Sequence, residues 1–79
     1  MKLTYNQTMV FNYLSGKYPE YIGPTQIGQE VAYSDTASPW ASRICKALVK
    51  KGLVERNQRG QYRTTSKSMF KETQNDTSN

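Results

Sequence analysis

Residues 38–51, SPWASRICKALVKK, and the residues that follow them, 52–65, GLVERNQRGQYRTT, decide the fold. The first stretch predicts a helix. Ser38 is a good N-cap, because its hydroxyl can accept a hydrogen bond from an unpaired amide of the first turn. Pro39 comes next, with φ preset for a helix and no amide to leave unused. Gly52 stands where a left-handed residue closes a helix, and Leu53 can fold back on Leu48. At the helical period, Ala41, Ile44, Cys45 and Leu48 share one side. Pro39, Arg43, Lys46 and Lys50 share the other, with Trp40 on the flank, free to pack inward or face outward. The second stretch predicts a hairpin: residues 53–56 and 61–65 as strands, joined by Asn57-Gln58-Arg59-Gly60, with Gly60 free to take a positive φ. Arg59 sits at the loop tip, with Arg56 and Arg63 beside it.

Upstream, Thr4 and Gln7 form a capping-box pattern before a helix that runs to a stop at Gly16. Val10 with Leu14 and Met9 with Tyr13 give it a broad apolar face, and Tyr5 and Phe11 are assigned to the core and its margin. Pro19 keeps Tyr18 out of the helical region. Tyr21-Ile22-Gly23 suits a very short strand that needs a hairpin to join. A second helix covers residues 25–32, capped by Thr25, with Ile27 and Val31 facing inward. Gly28 costs that helix about 1 kcal/mol relative to alanine, which makes sense if another backbone passes close by. Residues 33–37, YSDTA, form a polar turn, and Tyr18, Tyr21 and Tyr33 are placed at the core margin. Residues 66–79 are polar apart from Met69 and Phe70 and are expected to form a disordered tail. The domain proper is therefore residues 1–65.

Charge divides the chain. Residues 1–37 carry Lys2 and Lys17 against Glu20, Glu30 and Asp35. Residues 38–67 carry eight cations against Glu55 alone, within a chain of net charge +5. A patch of that density attracts polyanions. Other classes find little support. Without histidine there is no ready general base near neutral pH. One cysteine and no histidine cannot supply a structural zinc site. No glycine-rich phosphate loop is present, so the chain is expected to be no enzyme, with no cofactor, no metal and no small-molecule substrate. It lacks an apolar run long enough to span a bilayer and a signal-peptide pattern, and its lone cysteine suits a reducing cytoplasm.

Helix, short strand, helix, turn, helix, hairpin is the element order of a winged helix-turn-helix: mostly α with a small β-hairpin, three helices and a two- or three-stranded wing sheet. SPWASRICKALVKKGLVER resembles the third helix and first wing strand of the MarR-like and related small regulators, and GPTQIGQEVA resembles their second helix. The matching positions are Ala41, Ser42, Arg43, Ile44, Cys45, Leu48, Gly52, Leu53, Glu55 and Arg56. Trp40 departs from the pattern, standing where a small polar residue is usual. The long helices that form the MarR-like dimer have no counterpart here.

The resemblance implies sequence-specific binding of double-stranded DNA by a small transcriptional regulator, with the third helix in the major groove and the wing on the backbone. Ser42 and Arg43 would touch bases, Ser38 would cap the helix where its N-terminus favours phosphate, and Lys46 and Lys50 would meet phosphates. Arg59 and Arg63 would form the wing contact, with Arg56 beside them and Trp40 a wedge if it faces the DNA. Chemistry agrees independently: arginine can hold guanine O6 and N7 together, and lysines suit phosphates as point charges. One recognition helix covers few base pairs, so two copies on a two-fold site is a common arrangement. The competing readings are a winged-helix module that binds proteins through an apolar flank around Trp40 and Tyr33, and RNA or replication-origin binding on the same basic face.

Overall fold

In the computed structural model, residues 2–65 are described. They form helices α1 (Tyr5–Lys17), α2 (Pro24–Val31) and α3 (Ser38–Lys50), then strands β1 (Val54–Arg56) and β2 (Tyr62–Thr64). The expected tail, with its possible turn at Met69 and Phe70, lies outside the described residues. The class is α+β: three helices and a two-stranded antiparallel hairpin.

Each boundary has a local cause. Thr4 caps α1 through a complete capping box: its Oγ1 accepts from the Gln7 amide at 3.0 Å, and the Gln7 side chain accepts from the Thr4 amide at 3.0 Å. The helix runs past Gly16 to Lys17 and ends because Pro19 holds Tyr18 extended, at φ −54 and ψ 137. Gly16 is therefore inside the helix on its exposed side and is not the stop that its residue type suggests. Helix α2 begins at Pro24 with Gly23 as N-cap, so Thr25 is not the cap. Proline at the first helical position has its φ already set and wastes no amide, which moves the start one residue upstream.

Helix α3 starts one residue before its expected first turn. Ala37 is the N-cap, Ser38 is the first helical residue, and no side chain caps the end. Ser38 is thereby corrected as the cap. The turn before it closes through Ala37 N–H donating to Ser34 O, and Ala37 O already accepts the Ala41 amide at 2.9 Å. The C-terminus follows expectation. Gly52 has φ +80, its amide donates to Val49 O at 2.9 Å, and the Leu53 amide donates to Leu48 O at 3.1 Å. These two bonds satisfy carbonyls that a helix end leaves open, and they aim the chain directly into β1.

The hairpin register is Val54 opposite Thr64, Glu55 opposite Arg63 and Arg56 opposite Tyr62. Val54, Tyr62 and Thr64 are buried on its inner face. Ile22 adds a single bridge to the free side of β2, exchanging both backbone bonds with Tyr62 at 2.8 Å. The expected short strand at residues 21–23 is thus one bridged residue.

The core joins all these elements: Val10, Phe11 and Leu14 from α1, Ile22, Ile27 from α2, Ala41, Cys45 and Leu48 from α3, and Val54 and Tyr62 from the hairpin. Trp40, Ile44, Leu53, Val31, Tyr13 and Leu3 pack against its margin. Two tyrosines depart from expectation. Tyr5 is 77% exposed and Tyr33 88% exposed. The face of α1 that turns inward is centred on Val10, Phe11, Leu14 and Ser15, which carries Tyr5 away from the core.

Candidate nucleic-acid interface

Helix α3 is held by its apolar side. Ala41, Cys45 and Leu48 are completely buried, and Arg43, Lys46 and Lys50 on the other side are exposed. Spaced i, i+3 and i+7, these three form a stripe about 10 Å long at 1.5 Å per residue. Among the described residues none of them forms an ion pair; the ion pair found there joins Arg63 to Glu55. Ser42 is half-buried between the two faces, and Ser38 is half-buried in the first turn. Trp40 is half-buried and packs against the core, so its ring braces α3 from the flank. Burial among apolar groups pushes the Cys45 thiol up to about 12, which keeps it protonated and unreactive at neutral pH.

The α3 N-terminus is set by a close approach. A Cβ placed on Gly28 would lie 2.9 Å from both the carbonyl carbon and the Cβ of Ala37, and 3.0 Å from the carbonyl oxygen. Only glycine lets α2 come this near, which confirms the expectation of a passing backbone at that residue. The turn is held by side chains as well: Ser34 Oγ accepts from the Thr36 amide at 3.2 Å, and Gln29 Nε2 donates to Asp35 at 3.3 Å. Tyr33 occupies the left-handed region there, at φ +55.

The hairpin loop presents Arg59 from an ordered base. Asn57 Oδ1 accepts from the amides of Arg59 and Gln61, each at 2.9 Å. The Asn57 side-chain amide donates to Gln61 Oε1 at 3.0 Å, and its backbone N–H to Gln61 O at 2.9 Å. Gly60, at φ +78, completes the turn, and the Arg56 guanidinium lies over it; a Cβ on Gly60 would come within 3.4 Å of Arg56 Nη2. Arg56 and Arg59 are both exposed. Asn57 is the organiser of this loop, a part that its place in the turn did not by itself assign. Its signal was available, because asparagine opening a tight loop commonly bonds the backbone two residues on.

Arg63 behaves differently from the other cations. Its Nε donates to Glu55 Oε2 at 2.6 Å and its Nη1 to Pro19 O at 3.0 Å. The guanidinium also lies 4.5 Å from the Tyr21 ring centroid and 5.6 Å from that of Tyr18. The hydrogen bond it donates to Glu55, more than any other cause, holds its pKa above the ordinary arginine value. The cross-strand pairing of Glu55 with Arg63 followed from a register that the sequence left open.

No helix among the described residues is long and apolar enough to cross a membrane. No family model matches the chain, and neither a curated protein nor a solved structure matches it.

Proposed function

We propose that the chain is a winged-helix module that binds double-stranded DNA, with α3 in the major groove and the β1–β2 wing on the neighbouring backbone. One observation carries the reading: α3 is fixed by a buried apolar face, while the opposite face offers Arg43, Lys46 and Lys50 with no carboxylate partner among the described residues. Arg43 lies in the first half of the helix, where a planar fork reaches base edges, and the two lysines follow at phosphate distance along the groove. Arg59 and Arg56 extend the cationic surface onto the wing. The action is stoichiometric binding, as in a small transcriptional regulator.

The protein-docking alternative loses half of its apolar flank, because Trp40 is packed against the core. Duplex RNA on the same face is separated by competition with duplex DNA of matched length.

Selection of bound sites from random duplex DNA, followed by sizing of the complex, tests the assignment and reports half-site spacing and stoichiometry. With Lys46, Lys50, Arg56 and Arg59 on phosphates, log K falls against log salt with a slope of roughly −3.6. Arg43→Ala removes ~1–3 kcal/mol of discrimination at one base pair. Arg59→Ala weakens all sequences alike and lowers the slope by about one. Failure to retain the wild-type chain on duplex DNA at low salt, or a binding constant indifferent to salt, refutes the assignment.

A further inference from the structure

We propose that Arg63 is a positioning residue: it latches the wing to the segment between α1 and α2, and so sets where Arg59 is presented, without itself touching the nucleic acid. This rests on the DNA-binding reading above. The geometry ties three parts of the chain to one guanidinium. Arg63 leaves β2, its Nε is taken by Glu55 of β1, and its Nη1 by the carbonyl of Pro19, 44 residues earlier. The rings of Tyr21 and Tyr18 lie against it. Three residues after Pro19, Ile22 bridges Tyr62, the residue before Arg63. The hairpin is therefore fixed to the α1–α2 link at two adjacent points, one through backbone and one through this side chain. Glu55 cancels the charge of Arg63, so the pair adds little field at the wing. Its use is orientation.

A lysine cannot do this. An ammonium keeps the charge but lacks the fork that serves a carboxylate and a carbonyl together, and it lacks the planar face that lies on the tyrosines. Substitution by lysine therefore separates a latch from a phosphate contact.

The experiment measures affinity for a selected duplex across a salt series, for wild type, R63K and R63Q, each with and without R59A, at a temperature where circular dichroism shows every variant folded. R63K and R63Q are expected to weaken binding alike, roughly 2- to 140-fold, the range found for groups within one network. Both lower the salt slope by up to about one, because Arg59 leaves its phosphate, but neither lowers it further in the R59A background, and R59A costs less affinity in the R63K background than alone, because the wing no longer holds Arg59 in place. A merely structural residue would leave the R59A effect unchanged. The proposal is overturned if R63K binds as wild type does, if R63Q lowers the slope by about one in the R59A background as well, or if R59A costs the same in both backgrounds. Should wild type bind no duplex, the DNA-binding reading fails, and hydrogen exchange on the free protein decides the latch. Faster exchange at the Arg59 and Gln61 amides in R63K, with α3 unchanged, supports it; unchanged exchange there overturns it.

Discussion

Gly28→Ala sets helix propensity against packing, and the two give opposite signs. Glycine inside a helix is about 1 kcal/mol worse than alanine, so propensity alone makes the substitution stabilising. The added methyl, however, would meet three atoms of Ala37 at 2.9–3.0 Å. Carbon atoms rest comfortably at about 3.5–4.0 Å, so the overlap is roughly half an ångström on several atoms at once. No rotamer relieves it, because the atoms belong to the backbone and to a methyl group. Both sides are also tethered: Gly28 O accepts the amides of Ala32 and Ser34 at 3.0 and 3.3 Å, and Ala37 O accepts the first amide bond of α3. Overpacking of this kind costs about 1–3 kcal/mol. After subtraction of the propensity gain, a net loss of about 1 kcal/mol is expected, which lowers Tm by roughly 4–8 °C in a domain of this size. Thermal unfolding followed by circular dichroism measures it. Ala37→Gly supplies the control: it removes one of the three clashing atoms, and glycine is a better N-cap than alanine. The double variant should therefore recover part of the loss. A Tm that rises in Gly28→Ala, or a double variant that recovers nothing, refutes the claim that α2 and the start of α3 are seated on that bare Cα.

Two further outcomes follow from single residues. Tyr33, at φ +55 and largely exposed, is held in a conformation that costs a side chain ~1–2 kcal/mol, whereas glycine enters it freely but loses about 0.5–1 kcal/mol of chain entropy. Tyr33→Gly should leave stability unchanged or raise it by about 0.5 kcal/mol in a denaturant titration; a loss above 1 kcal/mol would mean the ring is anchored. Burial raises the Cys45 thiol from 9.0 to about 12, so the folded chain keeps a proton that the unfolded chain releases. The stability this thiol contributes is complete below about pH 9 and is lost as pH rises towards 12, at up to about 1.4 kcal/mol per pH unit. Unfolding midpoints of wild type and Cys45→Ala measured from pH 8 to 11 should converge; curves that stay parallel exclude the thiol as the cause.

What was legible in the sequence was whatever a short window encodes. The capping box at Thr4 and Gln7, the Gly52–Leu53 terminus and the inward face of α3 are each settled within one or two turns of chain, and each is as expected. The errors also have local causes that compete. Ser38 has the chemistry of a cap, yet the turn from Ser34 had already brought Ala37 into that position. Gly16 has the conformational freedom of a stop, but Pro19 acts three residues later and fixes the end. Long-range facts were out of reach. Nothing near Arg63 in sequence points to Pro19 or Tyr21, and a one-residue change of register would have turned its side chain to the other face. Grouping Arg63 with Arg59 as wing cations was reasonable from charge alone; only the pairing with Glu55 distinguishes them.

That distinction bears on the whole basic surface. Between residues 38 and 65 the chain has one carboxylate, Glu55, and it is bound to Arg63. Helix α3 contains no acid, so Arg43 with Lys46 and Lys46 with Lys50 are like-charge neighbours at i, i+3 and i, i+4. Each such pair destabilises a helix by roughly 0.2–0.5 kcal/mol. Lys46→Glu exchanges both repulsions for attractions, with the carboxylate placed four residues before Lys50 in the favourable orientation, and should raise stability by about 1 kcal/mol. If the stripe exists to meet phosphate, the same change weakens DNA binding and lowers the salt slope by about one. Urea denaturation and binding at two salt concentrations measure the two effects on one protein preparation. A variant that gains stability and binds as before would show that the stripe is an ordinary solvated face. One that gains stability while losing affinity would show that the sequence keeps a repulsive helix for the sake of what it holds.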